Sequence, residues 1–471
     1  MTGFKTRRLL ALGLAFALVS FGISTDSFSA GAKKRKSAYP RKLLTAPTTA
    51  KETVISLTSV EMHFEFDAEF ETSLEDGAKS TIDLAIQNHY QHLLGYFQNR
   101  KVVEDFGISF ALSQGVAMPR LPLLVTNVQT EKTNKKISYA GQVSKISYHA
   151  AGRLLVHKEA YEQLKKVGVW NVTMPYDLDH YYDIKCTSPD YTGIEDFWYF
   201  YNPFRNGCRK LNDVPLALPV TLHLKDLGQP SADFSAGLKE LRLAPGKDTL
   251  KIYSVNGFAD DASVRGDEGR RSYDDINKYV VEKMGFTHDA MRSSKHGNRP
   301  MNVFTKDYDV EGRMIRVEIL RLLADTSIDK PNITFAKFFK EAVEDGDVII
   351  YAGHSGLGGN LDFENLNAKL RENKIAPIQF SKTKKQIYYL DGCSSYSYYL
   401  LPFGQKKKDA SRIDILTNGL ESLFDKEFYL QTAFYEVLVD FSEEDPSWTR
   451  VLERMEAKMQ GQTFLLNVGP L

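Results

Sequence analysis

Val348-Ile349-Ile350-Tyr351-Ala352-Gly353-His354-Ser355-Gly356 and Ile387-Tyr388-Tyr389-Leu390-Asp391-Gly392-Cys393-Ser394-Ser395 are built alike. Each is an unbroken apolar run that turns abruptly into small and polar residues. Such runs, rich in β-branched and aromatic residues, read as strands buried on both faces, the pattern of a parallel sheet. Open α/β sheets collect their chemistry outside the C-terminal tips of these strands. One run carries a histidine to its tip and the other a cysteine. Tips of neighbouring strands lie about 5 Å apart. A thiol beside an imidazole is an activated nucleophile.

The surroundings of these runs alternate between strand and helix patterns. Leu250–Val255, Met301–Phe304, Gln386–Leu390 and Ile413–Thr417 read as strands. Tyr273–Met284, Arg313–Ala324, Phe335–Glu344, Phe424–Phe441 and Trp448–Met459 read as helices. This alternation predicts an α/β domain over 248–471, with a mostly parallel sheet flanked by helices. Residues 52–225 read as a smaller α+β domain. Val54–Thr72 and Lys136–His157 show strand-like alternation, and Ser80–Gln98 has the spacing of an amphipathic helix. The aromatic stretch Asp190–Pro203 is either core or a surface that holds peptide. Residues 226–247, with Pro230, Gly237, Pro245 and Gly246, read as a linker with room for a short helix.

The first 32 residues have the form of an export signal. Lys5, Arg7 and Arg8 precede an apolar stretch from Leu9 to Ile23, and Ala30-Gly31-Ala32 or Ser27-Phe28-Ser29 offers a cleavage site. Residues 33–51 form a basic, aperiodic leader. The expected location is therefore exported, periplasmic or secreted, with no stable membrane insertion after signal removal. The 471 residues carry 60 basic and 60 acidic side chains, so net charge supplies no pull toward nucleic acid. A hydrophobic content of 42% is that of a packed protein and excludes a disordered chain. Of the three cysteines, Cys186 and Cys208 stand in one loop-like stretch and are expected to form a disulfide. Cys393 is then the odd thiol, either reactive or buried and inert.

A strand ending in Gly-His followed by small residues, then a strand ending in Asp-x-Cys, resembles the caspase-like cysteine peptidases. That superfamily includes caspases, metacaspases, legumains, clostripain and gingipains. The resemblance covers about half of the chain, and the caspase-like sheet it implies is the expected fold. His354 precedes Cys393 by 39 positions (393 − 354), somewhat closer than the roughly 50 of caspases. The resemblance implies a Cys-His dyad, with Cys393 as nucleophile and His354 as the acid/base. It places Ser355, Gly356 and Gly392 at the oxyanion and positioning sites. It puts Asp391, two before the cysteine, in the primary specificity pocket, favouring Arg or Lys before the cleaved bond. Asn256, in Asn256-Gly257, corresponds to a legumain residue that supports the histidine and borders the substrate. The alternative is an ordinary Asn-Gly turn. The expected partner is a peptide or protein substrate. No cofactor or metal is expected; Asp260, Asp261, Asp267 and Glu268 form an acidic loop that is by default a solvated one, the alternatives being added negative charge for the pocket or calcium, which some relatives bind. Two positions depart from the family. Ser355 stands where glycine usually follows the histidine, and Ser395 stands two after the cysteine where glycine is common.

Rival readings are weaker. Gly353-His354-Ser355-Gly356-Leu357 nearly forms a nucleophile elbow, but its last position is Leu357, and His354 is the last histidine in the chain, so Ser355 has no downstream base. The glycines at 353, 356, 358 and 359 do not make a dinucleotide fingerprint. His89 and His92 lack Cys or carboxylate partners that would suggest zinc. The non-enzymatic alternative is an inactive caspase-like domain in an exported binding or scaffold protein.

Overall fold

The computed structural model describes residues 54–72, 85, 86, 89, 125–140, 143–176, 184–186, 206–208, 217–227, 236–293, 301–327, 332–407, 409–419, 422–443, 445–458 and 466–469. The expected signal (1–32), the basic leader (33–51), the aromatic stretch 190–203 and most of the expected helix at 80–98 lie outside them.

After a two-residue strand, β1 (Ile55–Ser56), the chain builds a five-stranded sheet. Its members are β2 (Ser59–Thr72), β3 (Val125–Ala140), β4 (Val143–His157), β5 (Val169–Pro175) and β6 (Ala217–Asp226). They lie in the order β3-β4-β2-β6-β5, with every pairing antiparallel. Period-2 patterning explains β2. Met62, Phe64, Phe66 and Phe70 point into one core, while Glu65 and Asp67 on the opposite face are exposed. Helix α1 (Lys158–Val167) adds Tyr161 and Leu164 to that core.

His89 sits inside the same core, fully buried against the Phe70 ring at 4.7 Å. Its Nε2 donates to the Pro175 carbonyl at 2.7 Å, and Nδ1 bonds the Tyr148 hydroxyl at 2.6 Å. Burial pushes its pKa down to about 4, which keeps the ring neutral. The unfolded chain therefore takes up this proton first on acidification. Stability falls as pH drops from 6.5 toward about 4, by roughly 3 kcal/mol in all. Thermal melting from pH 7 to pH 4.5 checks this. His89→Gln is expected to flatten the acid limb, and an equally steep limb in that variant rejects the assignment.

The second sheet has nine strands in the order β1-β14-β13-β12-β11-β7-β10-β9-β8. New members are β7 (Thr249–Gly257), β8 (Thr287–His288), β9 (Met301–Val310), β10 (Arg313–Ala324), β11 (Val348–Ala352), β12 (Gln386–Asp391), β13 (Ile413–Asn418) and β14 (Leu466–Gly469). The central five, β10-β7-β11-β12-β13, are parallel. Antiparallel strands close both edges. Helices α2 (Ala236–Leu243), α3 (Glu268–Glu282), α8 (Phe424–Val439) and α9 (Trp448–Ala457) pack on one face. Helices α5 (Ile333–Asp345), α6 (Phe363–Glu372) and α7 (Ser395–Gly404) pack on the other, and α4 (Ala290–Ser293) is a single turn. The α/β expectation for this half holds. Ile349 and Tyr351 of β11 face one helical layer while Val348 and Ile350 face the other, which is why the strand is apolar throughout. Each such side chain contributes about 1.5–3 kcal/mol through burial.

Helix α5 shows why the expected helices form. Asn332 caps it, its side chain accepting from Thr334 N at 2.8 Å. Phe335, Phe338, Phe339, Ala342 and Val343 then recur at helical spacing and are all buried.

Three features differ from the sequence expectation. Arg313–Ala324 was expected to be helical but is strand β10, inside the large sheet, with Val317–Ala324 all buried. Arg, Leu and Glu favour helices, but pairing with β7 and β9 on either side overrides so weak a preference. The turn before it has Glu311 at φ 55 and Gly312 at φ 80, the backbone of a tight hairpin. The expected linker 226–247 also contributes to the fold. Leu238 and Leu241 of α2 are buried in the core of the large sheet, and Arg242 donates to the carbonyls of Val437, Asp440 and Glu443. Finally, β1 lies within the expected N-terminal domain (52–225) yet joins the large sheet, Ile55 opposite Val468.

Candidate active site

Strand order in the large sheet reverses between β7 and β11, the kind of position beyond whose C-terminal strand ends open α/β sheets bind their ligands. Ala352 pairs with Asp391 at the end of the β11–β12 ladder. His354 and Cys393 each follow two residues later, at equivalent positions on adjacent parallel strands. The two tip loops touch. A Cβ on Gly392 would lie 3.1 Å from the Gly353 carbonyl and 3.7 Å from Ser355 Cβ. A side chain at 392 would require the Gly353 loop to give by a few tenths of an ångström.

The His354 ring is exposed, edge-to-face with Phe424 at 5.0 Å. Its Nε2 donates to the Ala259 carbonyl at 2.7 Å. A carbonyl only accepts, so this bond keeps the proton on Nε2 and leaves Nδ1 as the basic nitrogen. The backbone below is fixed by side chains. The His354 carbonyl accepts from Tyr351 Oη at 2.5 Å and from Asn360 Nδ2 at 2.7 Å. The carbonyl of Ser355, itself buried, accepts from Tyr399 Oη at 2.7 Å. Gly356 adopts φ +54, and a Cβ there would lie 2.3 Å from Asn360 Oδ1, so only glycine fits.

Cys393 is half-buried, and its Sγ donates to the Ser422 carbonyl at 3.8 Å. Its partners in sequence, Cys186 and Cys208, form the expected disulfide with each other. Ser394 has φ 50 and ψ 34, a left-handed conformation that costs a non-glycine residue on the order of 1–3 kcal/mol. Ser395, one of the two departures from the family pattern, has a clear task. Its Oγ accepts from Asn418 N at 2.8 Å and ties the start of α7 to β13.

Beneath the tips lies a buried polar network. Asp391 is fully buried. Its Oδ1 accepts from Asn418 Nδ2 at 2.7 Å and from the Ser422 hydroxyl. Its Oδ2 has no well-formed hydrogen bond, and the Tyr389 hydroxyl is among the groups that favour its charged form. Burial raises the Asp391 pKa, and its hydrogen bonds pull it partway back. Glu427 is also fully buried, and its pKa is raised well above normal by burial and then by the charge of Asp391. Two carboxyls this close in a dry site do not both ionise. Asn256 donates to Glu427 Oε2 at 3.1 Å and accepts from Arg321 Nη2 at 2.7 Å. Both ends of that amide are thus engaged below the tips, and the group that orients His354 is the Ala259 carbonyl.

The acidic loop is used locally. Asp267 is buried, caps α3 through Arg270 N at 2.8 Å, and accepts from Asp260 N at 2.7 Å. Asp261 accepts from Ser263 N at 2.8 Å. Among the described residues no group of three or more His, Cys, Asp or Glu converges as a metal site. A cleft of about 340 Å³ lies near the N-terminal ends of β7 and β12, far from the tips, and includes Lys247, Lys251, Lys384 and Lys385. Carboxylates neutralise it: Asp347 pairs with Lys247 at 2.7 Å and Lys384 at 3.1 Å, Asp345 with Lys251 at 2.7 Å, and Asp414 with Lys385 at 3.0 Å.

The sequence reading named His354, Cys393, Asp391 and the glycines, and missed Ala259, Tyr399, Ser422, Arg321 and Glu427. Arg321 and Glu427 did leave a signal, as single charges on otherwise apolar faces. Ala259 left none, because its contribution is a backbone carbonyl. Compared with known proteins, the chain matches no family model and no curated sequence.

Proposed function

We propose that this protein is an exported cysteine endopeptidase of the caspase-like type, cleaving after Arg or Lys. The observation that carries the reading is the pairing of Ala352 with Asp391, after which His354 and Cys393 each follow by two residues at the tips of adjacent parallel strands. In this reaction the Cys393 thiolate attacks the scissile carbonyl carbon. The resulting oxyanion is held by backbone N–H groups around Ser355, Gly356 and Gly392. His354, protonated at Nδ1, gives that proton to the departing amine, leaving a thioester on Cys393. Water then attacks the thioester, His354 takes up a proton from it, and the acid product leaves with the Cys393 thiolate and protonated His354 restored. The Ala259 carbonyl keeps the ring oriented throughout.

Asp391 is the proposed specificity group. It lies two residues before Cys393 and is fully buried, so a cationic side chain reaching it would favour its ionised form. A guanidinium reaching Asp391 displaces the Ser422 hydroxyl that now covers it. Export is supported by the Cys186–Cys208 disulfide. Among the described residues no helix is long and apolar enough to cross a membrane.

A second reading is an inactive caspase-like domain in an exported binding protein. Two observations favour it: Cys393 Sγ is engaged with the Ser422 carbonyl, and Asp391 is closed over. Peptides with Arg, Lys, Asp or Asn before a reporter bond, assayed with and without calcium, separate the two. Cleavage after Arg or Lys is expected. Cleavage only after Asp or Asn would keep the dyad and remove the Asp391 assignment, and no cleavage of any peptide would leave the inactive reading.

A further inference from the structure

We propose that Glu61 is a positioning residue for Cys393, so that the five-stranded sheet is a working part of the active site. The proposal rests on Cys393 being the nucleophile. Glu61 lies on β2 and is 0% exposed. Its Oε1 accepts from the Tyr396 hydroxyl at 2.5 Å. Its Oε2 accepts from Arg153 Nη1 on β4 at 3.0 Å and from the Val54 backbone N–H at 3.1 Å. Tyr396 is equally buried and stands three residues after Cys393, in the first turn of α7. A carboxylate of the small sheet thus bonds the helix that begins at the candidate nucleophile, 335 positions along the chain.

The chemistry is more than a space-filling contact requires. Val60 and Met62 point into the small sheet's own core, so Glu61 points away from it, on the face where Glu65 and Asp67 meet solvent. At Glu61 that face is covered by the larger half of the protein, where Leu155 of β4 joins a core that includes Tyr396 and Tyr399. A carboxylate buried there is costly unless fully bonded, and an apolar pair would fill the same space. A charge-assisted O–H···O⁻ bond adds direction.

Direction matters because Ser394 is left-handed. Such backbone persists only where its surroundings hold it. Among the side-chain bonds that hold α7 are Ser395 Oγ to Asn418 N, Tyr399 Oη to the Ser355 carbonyl, and Tyr396 Oη to Glu61. The first two join α7 to β13 and to the His354 loop. The third comes from outside the large sheet and its loops. Releasing it lets α7, and Cys393 with it, shift relative to His354.

Tyr396→Phe deletes the hydroxyl alone, and Glu61→Gln removes the charge. Both single variants and the double are compared for kcat, KM, melting temperature and the pH profile of Cys393 alkylation by iodoacetamide. Tyr396→Phe is expected to lower kcat about 10–100-fold, with KM changed less than about 2-fold, and to displace the alkylation profile. The double variant should lose little more than either single one. An unchanged kcat and alkylation profile in Tyr396→Phe overturns the proposal, whatever happens to the melting temperature. If Glu61→Gln fails to fold, the milder Tyr396→Phe still decides. If the wild type cleaves no peptide but the alkylation profile shifts, the positioning stands and the peptidase reading falls.

Discussion

Cys393→Ala is expected to abolish peptide cleavage, lowering kcat/KM by about 10⁴–10⁶-fold while the protein stays folded. No other described thiol can replace it, since Cys186 and Cys208 are joined to each other. The side chain is half-buried at a strand tip, and its removal leaves the bonds that order the tip intact: Ser395 to Asn418 and Tyr399 to the Ser355 carbonyl. His354→Ala should cost less, about 10²–10⁴-fold, because the thiol keeps intrinsic nucleophilicity without its base. The two losses should not add, since the residues act on one proton. The pH profile for alkylation of Cys393 should also move in His354→Ala. Turnover by Cys393→Ala at the wild-type rate would remove the dyad from the mechanism. An unmoved alkylation profile in His354→Ala would separate the two residues chemically.

Asp391→Asn is expected to raise stability and destroy the preference for Arg and Lys, by about 100-fold in kcat/KM. The stability half follows from burial. The folded-state pKa of Asp391 is raised, so folding holds a proton that the unfolded chain releases more readily. The cost is absent below the unfolded carboxyl pKa and complete above the folded one, so stability falls as pH rises through that window. Asparagine carries no such charge, and its advantage should grow with pH in melting experiments. Binding has the opposite sign. A substrate cation favours the ionised carboxylate and expels the proton. Affinity for an Arg substrate should therefore climb with pH through the titration of free Asp391 and then level off. Asp391→Asn should flatten that climb while leaving the response to neutral peptides unchanged. An Arg preference that survives the substitution, with the same pH slope, would assign specificity elsewhere.

The opposed effects on stability and specificity have one physical source. Asp391 and Glu427 are both fully buried carboxyls, and the Asn256 amide links Glu427 to Arg321. A fold under pressure for stability alone would not place two acids there. Sites where a local rule is broken at a cost are where function is expected.

The alternating apolar pattern of β2 and the continuous apolar runs of β11 and β12 were legible because burial repeats with the period of the backbone. So were the capped helix α5 and the disulfide. His354 and Cys393 were legible as candidates because chemically distinctive residues ended runs of strand type. The hairpin β9–β10 was misread at Arg313–Ala324, although Glu311-Gly312 between two stretches of alternating residues was a turn signal. Its charged residues favour a helix locally, and only strands on both sides make them a strand.

From the sequence alone came the α/β class of the second half, the two strand tips and the identity of the odd thiol, because each depends on local periodicity or on counting. Tertiary structure alone decided the rest. It set β11 beside β12 in a register that brings the tips level, made the Ala259 carbonyl the partner of His354, and closed Ser422 over Asp391. It also carried Glu61 across to Tyr396. These are contacts between segments distant in the chain, formed by backbone carbonyls and buried polar side chains. Their partners are chosen by how the two sheets and their helices pack, and no local pattern encodes that choice.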